Sequence, residues 1–204
     1  MSPGDKSAEG LPHPERLCRR LVGGPRMASL RVQLKTLTPI LGGAAEARTL
    51  DSWDAIRAPS IRGHLRFWWR ALHAHAFETS KDLAAREREL WGGMTKEGGT
   101  RSCVELHVEV ERSSLSEDSS DIGPRDLGAY ALWVAQSPRA PRWRSGVVFW
   151  LHVRMPVERR MEVELALRAW LLWGGYGSRT RRGLGSLSVV EERERWLPKQ
   201  ASSA

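Results

Sequence analysis

The 204-residue sequence predicts an α+β fold with six main elements in the order strand, helix, strand, strand, helix, strand. Three observations support this prediction. Two segments, around residues 30 and 105, alternate apolar and polar residues with the two-residue period of a half-buried strand. Two other segments repeat apolar residues at the three- and four-residue spacing of an amphipathic helix. A stretch rich in glycine and arginine separates the second of these helices from the last strand.

The chain begins with a polar segment that leads into the first strand. Residues 1–27 contain several Pro, Gly and charged residues without periodicity, which predicts a disordered N-terminal arm. Leu30, Val32 and Leu34 then alternate with polar residues. This alternation predicts a strand that ends before Pro39.

The first predicted helix runs from Ser60 to Phe77, because the Ala58-Pro59 dipeptide disfavours helix before Ser60. Its core-facing side is predicted to hold Ile61, Leu65, Trp68 and Leu72. A second helix with many charged residues is predicted over residues 81–91, closed by the glycines that follow it.

A stripe of arginines runs along the first predicted helix at successive four-residue steps, formed by Arg62, Arg66 and Arg70. No acidic residue occurs between Asp54 and Glu78. An unpaired stripe repels itself and is stabilised by a phosphate backbone, which indicates nucleic acid. A solvated charged face is the alternative interpretation.

The middle of the chain contains a strand and a long insertion. Residues 102–111 alternate apolar and charged positions and predict the second strand. The insertion, residues 112–145, begins as an acidic, Ser-rich loop and ends in the arginine- and proline-rich run 138–144. Arginines interleaved with Trp143 would suit stacking and pairing with single-stranded RNA, while a proline-rich surface loop is the alternative.

The last part of the chain supplies the remaining elements. Residues 146–155 are rich in β-branched and aromatic residues and predict the third strand. A helix of about four turns follows, and residues 187–191 form the predicted fourth strand. We expect the charged tail, residues 193–204, to be peripheral. The apolar positions of the second main helix are Val163, Ala166, Leu167, Trp170 and Leu171.

This order of elements is the split βαβ, ferredoxin-like arrangement that RNA-recognition domains share. We therefore predict one ferredoxin-like domain over residues 28–192, with the insertion at 112–145 and a glycine-rich loop between the second helix and the last strand.

The glycine-rich loop, residues 174–186, joins backbone freedom to positive charge. Its glycines are Gly174, Gly175, Gly177, Gly183 and Gly185, and its arginines are Arg179, Arg181 and Arg182. The glycines follow a helix, whereas those of nucleotide-binding loops precede one. Any bound anion must therefore be held by the arginines and the loop amides. A solvated basic loop after a helix end is the alternative.

Composition narrows the classes of partner and site. The formal net charge is +8 and the sequence pI is about 10.3, which favours an anionic partner without separating nucleic acid from a membrane surface or an acidic protein. Cys18 and Cys103 have no metal-ligand spacing, and His64, His73 and His75 have no companion cluster of acids or cysteines. We expect no metal, no cofactor, no membrane span and a cytoplasmic location.

Several motifs resemble the RAMP superfamily, the RNA-binding subunits of CRISPR effector complexes, whose mark is a glycine-rich loop between the second helix and the last strand. Residues 174–187 match that loop. More narrowly, Leu37-Thr38-Pro39, the run from Arg57 to Arg70 and Leu90-Trp91-Gly92 resemble the first-numbered RAMP subunit of the type III-B (Cmr) module. That family commonly carries a second ferredoxin-like domain, for which too few residues follow the loop, so we expect a compact variant or one part of a split subunit.

The resemblance implies a non-catalytic subunit that acts in antiviral defence. Its implied partners are CRISPR RNA, target RNA and the other RAMP subunits of the Cmr complex. Ser60 and Gly63 would shape the entry to the first helix. The residues implied to line one basic, RNA-binding surface are Arg57, Ser60, Arg62, Arg66, Arg70, Arg179, Arg181 and Arg182.

Two alternatives remain open. One is a metal-independent CRISPR repeat endoribonuclease of the same fold, with His64 as general base or acid. The other is a protein-assembly module of the complex, in which exposed tryptophans pack on neighbouring subunits.

Overall fold

The computed structural model describes residues 25–42, 44, 46, 49–51, 53–96, 98–121, 125, 129–133 and 140–197. The N-terminal arm was predicted for residues 1–27, and its residues 1–24 lie outside this part of the chain. Residues 198–204 of the predicted tail also lie outside it.

The described part of the chain contains nine strands and five α-helices. The strands are Met27–Thr36 (β1), Ile40–Leu41 (β2), Gly93–Thr95 (β3), Gly98–Thr100 (β4), Glu105–Val110 (β5), Glu117–Asp118 (β6), Arg142–Trp143 (β7), Val148–Pro156 (β8) and Leu187–Val189 (β9). The α-helices are Ala58–His73 (α1), Ser80–Trp91 (α2), Ala129–Leu132 (α3), Arg160–Trp173 (α4) and Arg193–Trp196 (α5).

The main sheet has four strands in the order β5-β8-β1-β9, and all neighbouring strands are antiparallel. The pairing of β1 with β8 runs from Met27 opposite Pro156 to Lys35 opposite Val148. In β8 the buried and less buried residues alternate, which is the pattern of a sheet with one face against the core. This mixed architecture with antiparallel sheets confirms the predicted α+β class.

The core lies between the main sheet and the two long helices α1 and α4. The strands contribute alternate apolar residues, and the helices contribute one stripe each. Its fully buried members include Leu34, Ile61, Leu65, Trp69, Phe149, Leu151, Ala166, Leu167 and Trp170.

The first helix differs from its prediction at both ends and in its core face. It ends at His73, four residues before the predicted end at Phe77. It begins at Ala58, two residues early, with Pro59 in the first turn, where the missing N–H leaves no helical hydrogen bond unmade. Its core face carries Trp69, which is 1% exposed, while Trp68 is only partly buried. Trp68 packs against the edge of the core from this partly buried position, so the prediction that it faces the core holds only in part.

The insertion contains structure that the sequence analysis did not predict. The two-residue strands β2, β7 and β6 form a second antiparallel sheet. Arg142 and Trp143 are both buried, and Arg142 Nη2 donates to Asp118 Oδ2 at 2.7 Å. Neither interpretation of this run, an RNA-stacking segment or a surface loop, holds for these two residues. Trp143 packs into the main core, and Arg142 links two parts of the insertion through Asp118 and Ser120.

The C-terminal tail also contacts the core. Trp196 of α5 is 2% exposed and belongs to the main core. The Arg168 guanidinium of α4 donates to the Arg195 carbonyl. The expectation of a peripheral tail was wrong for these residues.

Candidate nucleic-acid interface

The glycine-rich loop connects α4 to β9 and is fixed to the segment after β1 by a set of hydrogen bonds. Gly185 N donates to Pro39 O at 2.9 Å, and Ser178 N donates to Leu41 O at 3.0 Å. The Thr38 hydroxyl donates to Gly183 O at 2.6 Å. These bonds give the loop a defined conformation, which argues against a merely solvated loop.

Two positions show why the loop needs glycine. Gly185 has φ +62°, and a Cβ there would collide with the Tyr176 carbonyl. Gly183 has φ +86°, but a Cβ there would meet no atom within 4 Å. Gly185 is therefore required by close packing, whereas Gly183 is required only by its backbone angle.

Arg179 has φ +57° in the left-handed region, an arrangement that costs a non-glycine residue roughly 1–3 kcal/mol and is typical of functional sites. It opens a short turn, Thr180–Arg182. The loop arginines and Thr180 line a cleft of about 630 Å³.

The loop arginines are available to an external anion. Arg181 and Arg182 are exposed and Arg179 is half-buried. Within the described residues, none of the three guanidinium groups forms an ion pair with a carboxylate. The helix α4 ends at the loop, so its dipole contributes no positive potential, and anion binding rests on these side chains and the loop amides.

A groove lined by aromatic side chains, which we call the aromatic groove, lies between the loop and the outer sides of α1 and α4. Its volume is about 460 Å³. Phe67 is 56% exposed and Trp173 67% exposed, and the Trp68 and Trp173 rings lie 6.0 Å apart. The groove is lined by His64, Phe67, Trp68, Trp173, Gly174, Gly175, Thr180 and Arg181.

His64 lies at the inner side of this groove. Its ring stacks at 6.0 Å on Trp170 and meets the Tyr176 ring edge-on at 6.1 Å. Burial lowers the pKa of the His64 imidazole, which favours the neutral ring at physiological pH. The hydroxyl of its neighbour Tyr176 accepts a hydrogen bond from Arg57 N at 2.7 Å.

The arginine stripe of α1 has a carboxylate partner, so the prediction of an unpaired stripe was wrong. Glu87 of α2 is 4% exposed. Its Oε1 atom lies 2.6 Å from Arg66 Nε, and its Oε2 atom lies 3.6 Å from Arg70 Nη1. A buried carboxylate needs such partners. Arg66 and Arg70 therefore hold α1 against α2.

Arg62 also has contacts within the protein. Its Nη1 atom donates to Ser102 Oγ at 2.6 Å and to Val104 O at 2.9 Å. Burial, and to a lesser degree the charge of Arg66, lowers the pKa of the Arg62 guanidinium. Arg62 thus fixes the segment before β5 to α1.

The remaining predicted residues lie near the start of α1. Arg57 Nε is 3.5 Å from Asp54 Oδ2, and Ser60 is exposed and lies next to the Tyr176 hydroxyl of the loop. Gly63 is exposed, and a Cβ there would meet no atom within 4 Å. Arg57 and Ser60 are therefore next to the loop, unlike Arg62 and Arg66, which contact α2 and residues 102–104.

The sequence analysis missed the aromatic groove. The signal was present in the run Phe67-Trp68-Trp69, because only one of three consecutive helical residues can point directly at the core. The other two side chains must lie toward the outside of the helix, on the side that carries His64.

The described residues also bear on metal sites and membrane-spanning helices. Among those residues, no group of three or more His, Cys, Asp or Glu side chains could hold a metal ion. None of the described helices has the length and apolar character needed to cross a membrane.

The chain is similar to several known proteins. The chain is 29% identical over 146 residues to the CRISPR system Cmr subunit Cmr1-1 of Pyrococcus furiosus. This alignment covers 68% of this chain and 41% of that protein. The crystal structure of apo Cmr1 from Pyrococcus furiosus aligns with a TM-score of 0.59 at 22% identity, over 81% of this chain and 49% of that one. A chain in the cryo-EM structure of type III-B Cmr-β bound to cognate target RNA has a TM-score of 0.49 at 15% identity, over 87% of this chain and 63% of that one.

The chain therefore spans about half the length of the Cmr1 proteins that it matches, or less. The family model of the RAMP superfamily matches residues 33–188. Because that match includes most of the chain, the glycine-rich loop and both long helices, the protein belongs to the RAMP superfamily.

Proposed function

We propose that this chain is a non-catalytic RNA-binding subunit of a type III-B CRISPR-Cas (Cmr) effector complex. It would contact guide RNA, target RNA or both in cytoplasmic antiviral defence, alongside other RAMP subunits. The similarity to the Cmr subunit Cmr1-1 supports the assignment to this complex. The observation that carries RNA binding is the set of loop arginines that have no carboxylate partner among the described residues and lie beside an exposed aromatic groove.

The topology supports the finer part of the fold prediction. The sheet order β5-β8-β1-β9, with α1 after β1 and α4 after β8, corresponds to a split βαβ, ferredoxin-like arrangement. We assign residues 174–186 as the glycine-rich loop of that domain. The loop leaves α4 at the side where the outer face of α1 carries its aromatic residues.

Chemistry divides the proposed interface into two parts. The loop arginines present forked donors that hold phosphate bidentately, so they bind the RNA backbone. The aromatic groove offers ring faces, on which single-stranded bases stack without regard to sequence. Together they favour single-stranded RNA over duplex, whose bases are already stacked.

The residues predicted at the first helix have two different roles in this proposal. Arg57, Ser60 and Arg70 remain candidate RNA contacts, because the first two adjoin the loop and the Arg70 side chain is 49% exposed. Arg62 and Arg66 act first as packing residues, through their contacts with residues 102–104 and Glu87.

Fluorescence anisotropy of the full chain with a labelled single-stranded RNA, repeated across a salt series, tests the proposal. Arg181→Ala should weaken binding and lower the salt slope by about 0.7, the value for one lost phosphate contact on a single strand. Arg154→Ala is the matched control. It removes the same charge from an exposed position on the sheet face away from the helices.

Equal affinity and slope for the two variants would contradict RNA binding by the loop and favour the assembly-module alternative. The RNA should also stay intact during the assay, since the groove offers His64 without a second evident catalytic group. Cleavage that disappears in His64→Ala would favour the endoribonuclease instead.

A further inference from the structure

An exposed tyrosine from the insertion lies beside the glycine-rich loop. Tyr130 belongs to the short helix α3 and is 70% exposed. Its neighbours Ala131 and Leu132 are buried in a small second core with Leu41, Ala140 and Leu184. Leu184 is part of the glycine-rich loop, so this core attaches α3 directly to the loop.

Tyr130 contacts one of the loop arginines. The Cζ atom of Arg182 lies 4.6 Å from the centroid of the Tyr130 ring, which is the geometry of a cation–π contact. The high exposure of Tyr130 leaves much of the ring open to solvent. An aromatic ring next to an arginine without an ion-pair partner is the combination that proteins use to bind single-stranded RNA.

We propose that Tyr130 is a second base-stacking residue, which holds one nucleobase of the single-stranded RNA that the loop arginines bind. This inference rests on the proposed function and extends the interface into the insertion. Thr180 and Arg181 line the aromatic groove, while Arg182 of the same turn contacts Tyr130. The turn therefore places phosphate-binding groups between two stacking surfaces, and a single strand crossing it meets a ring at each end.

The chemistry predicts which ligand feature Tyr130 reads. Stacking uses the π-face that every base has, so Tyr130 adds affinity without selecting a base. The hydroxyl has no part in stacking, and Tyr130 carries no charge. Its removal should therefore leave the salt dependence of binding unchanged.

The test compares Tyr130→Ala, Tyr130→Phe and wild type, as full chains, with two probes. One is a labelled single-stranded RNA, and the other is an abasic oligonucleotide of the same length that keeps the sugar-phosphate backbone. On the RNA, Tyr130→Ala should weaken binding about five- to hundredfold, the loss of one stacked base, with an unchanged salt slope. Tyr130→Phe should bind like wild type, and both variants should match wild type on the abasic probe.

Trp133→Ala is the matched control. Trp133 adjoins α3 and is 64% exposed, and among the described residues it has no ring contact with a loop arginine. It should bind RNA like wild type.

The outcomes separate this inference from the function on which it rests. Wild-type affinity of Tyr130→Ala for RNA, in a protein whose Arg181→Ala variant is impaired, would overturn the inference and leave the proposed function standing. An equal loss on the abasic probe would also overturn it, because Tyr130 would then act only by orienting Arg182. Failure of the wild type to bind either probe would overturn the proposed function and the inference with it.

Discussion

Replacing Arg66 with methionine should destabilise the fold, although the sequence alone indicates a surface RNA contact. Methionine keeps much of the apolar stem and removes the guanidinium group. The variant leaves the Glu87 carboxylate, whose side chain is 5% exposed, without its partner at 2.6 Å. Arg70, at 3.6 Å, remains the nearest cation among the described residues.

The contacts set the size of the expected effect. A carboxylate left buried without any partner costs about 3–5 kcal/mol, whereas an exposed ion pair contributes at most about 1 kcal/mol. The Arg66 side chain is 33% exposed and Arg70 remains in place. We therefore expect a loss of about 2 kcal/mol in the free energy of unfolding, or roughly 4–8 °C in Tm for a domain of this size.

Thermal and urea unfolding of four proteins measures this loss: wild type, Arg66→Met, Glu87→Gln and the double variant. Removing both partners should cost less than the sum of the single losses, because no unpaired charge then stays buried. Arg181→Met is the matched control. Its side chain is exposed without a carboxylate partner among the described residues, so its stability should stay within about 0.5 kcal/mol of wild type.

The two methionine variants should rank in the opposite order in RNA binding, with Arg181→Met more affected than Arg66→Met. At a temperature where both variants are folded, Arg181→Met should lower the salt slope and Arg66→Met should leave it near the wild-type value. Equal Tm values for the two methionine variants, together with no coupling between residues 66 and 87, would refute the structural role of the Arg66–Glu87 pair.

Two further predictions concern the loop and the groove. Gly185→Ala should lower the urea midpoint much more than Gly183→Ala, because the first collides with the Tyr176 carbonyl and the second adds only left-handed strain of about 1–2 kcal/mol; equal midpoints would contradict the packing at Gly185. The depressed pKa of His64 means that the unfolded chain takes up the proton first, so stability should fall as the pH drops below about 6.5 and level off below the folded pKa. The His64→Asn variant should lack this part of the pH dependence, and identical curves for variant and wild type would show that His64 does not titrate differently on folding.

Patterns within short stretches of sequence predicted the long strands and helices, because a long element contains enough residues to show its characteristic pattern. The ten-residue strand β1 and the long helices each show several repeats of an apolar pattern, and the nine-residue strand β8 is long enough for its β-branched and aromatic composition to predict it. The strands β2, β6 and β7 have two residues each. Two residues cannot show a two-residue period, so the second sheet had no local signal.

Other features depend on contacts between distant segments. The pair of Arg66 and Glu87 joins two helices, and nothing within 58–73 shows that α2 will place a carboxylate beside the arginines. The choice between Trp68 and Trp69 is similar. Positions 68 and 69 lie three and four residues after Leu65, so either residue continues the apolar stripe. In the folded protein Trp69 is buried in the core, and Trp68 lines the aromatic groove.

The two sides of α1 explain how one helix both holds the fold and prepares the interface. On one side, Arg62 and Arg66 fix α1 to residues 102–104 and to α2. On the other side, His64 and Trp68 line the groove against the loop. A helix fixed on one side presents the other in a defined position, so ordering the groove on binding costs little side-chain entropy.

The loop is prepared in the same way. Its backbone is bonded to residues 38, 39 and 41, and these bonds hold Arg179 in its left-handed conformation. A mobile loop would relax that strain and lose the turn that presents Arg181 and Arg182. An RNA strand therefore meets arginines whose backbone is already placed, so most of the energy of the phosphate contacts remains available for affinity.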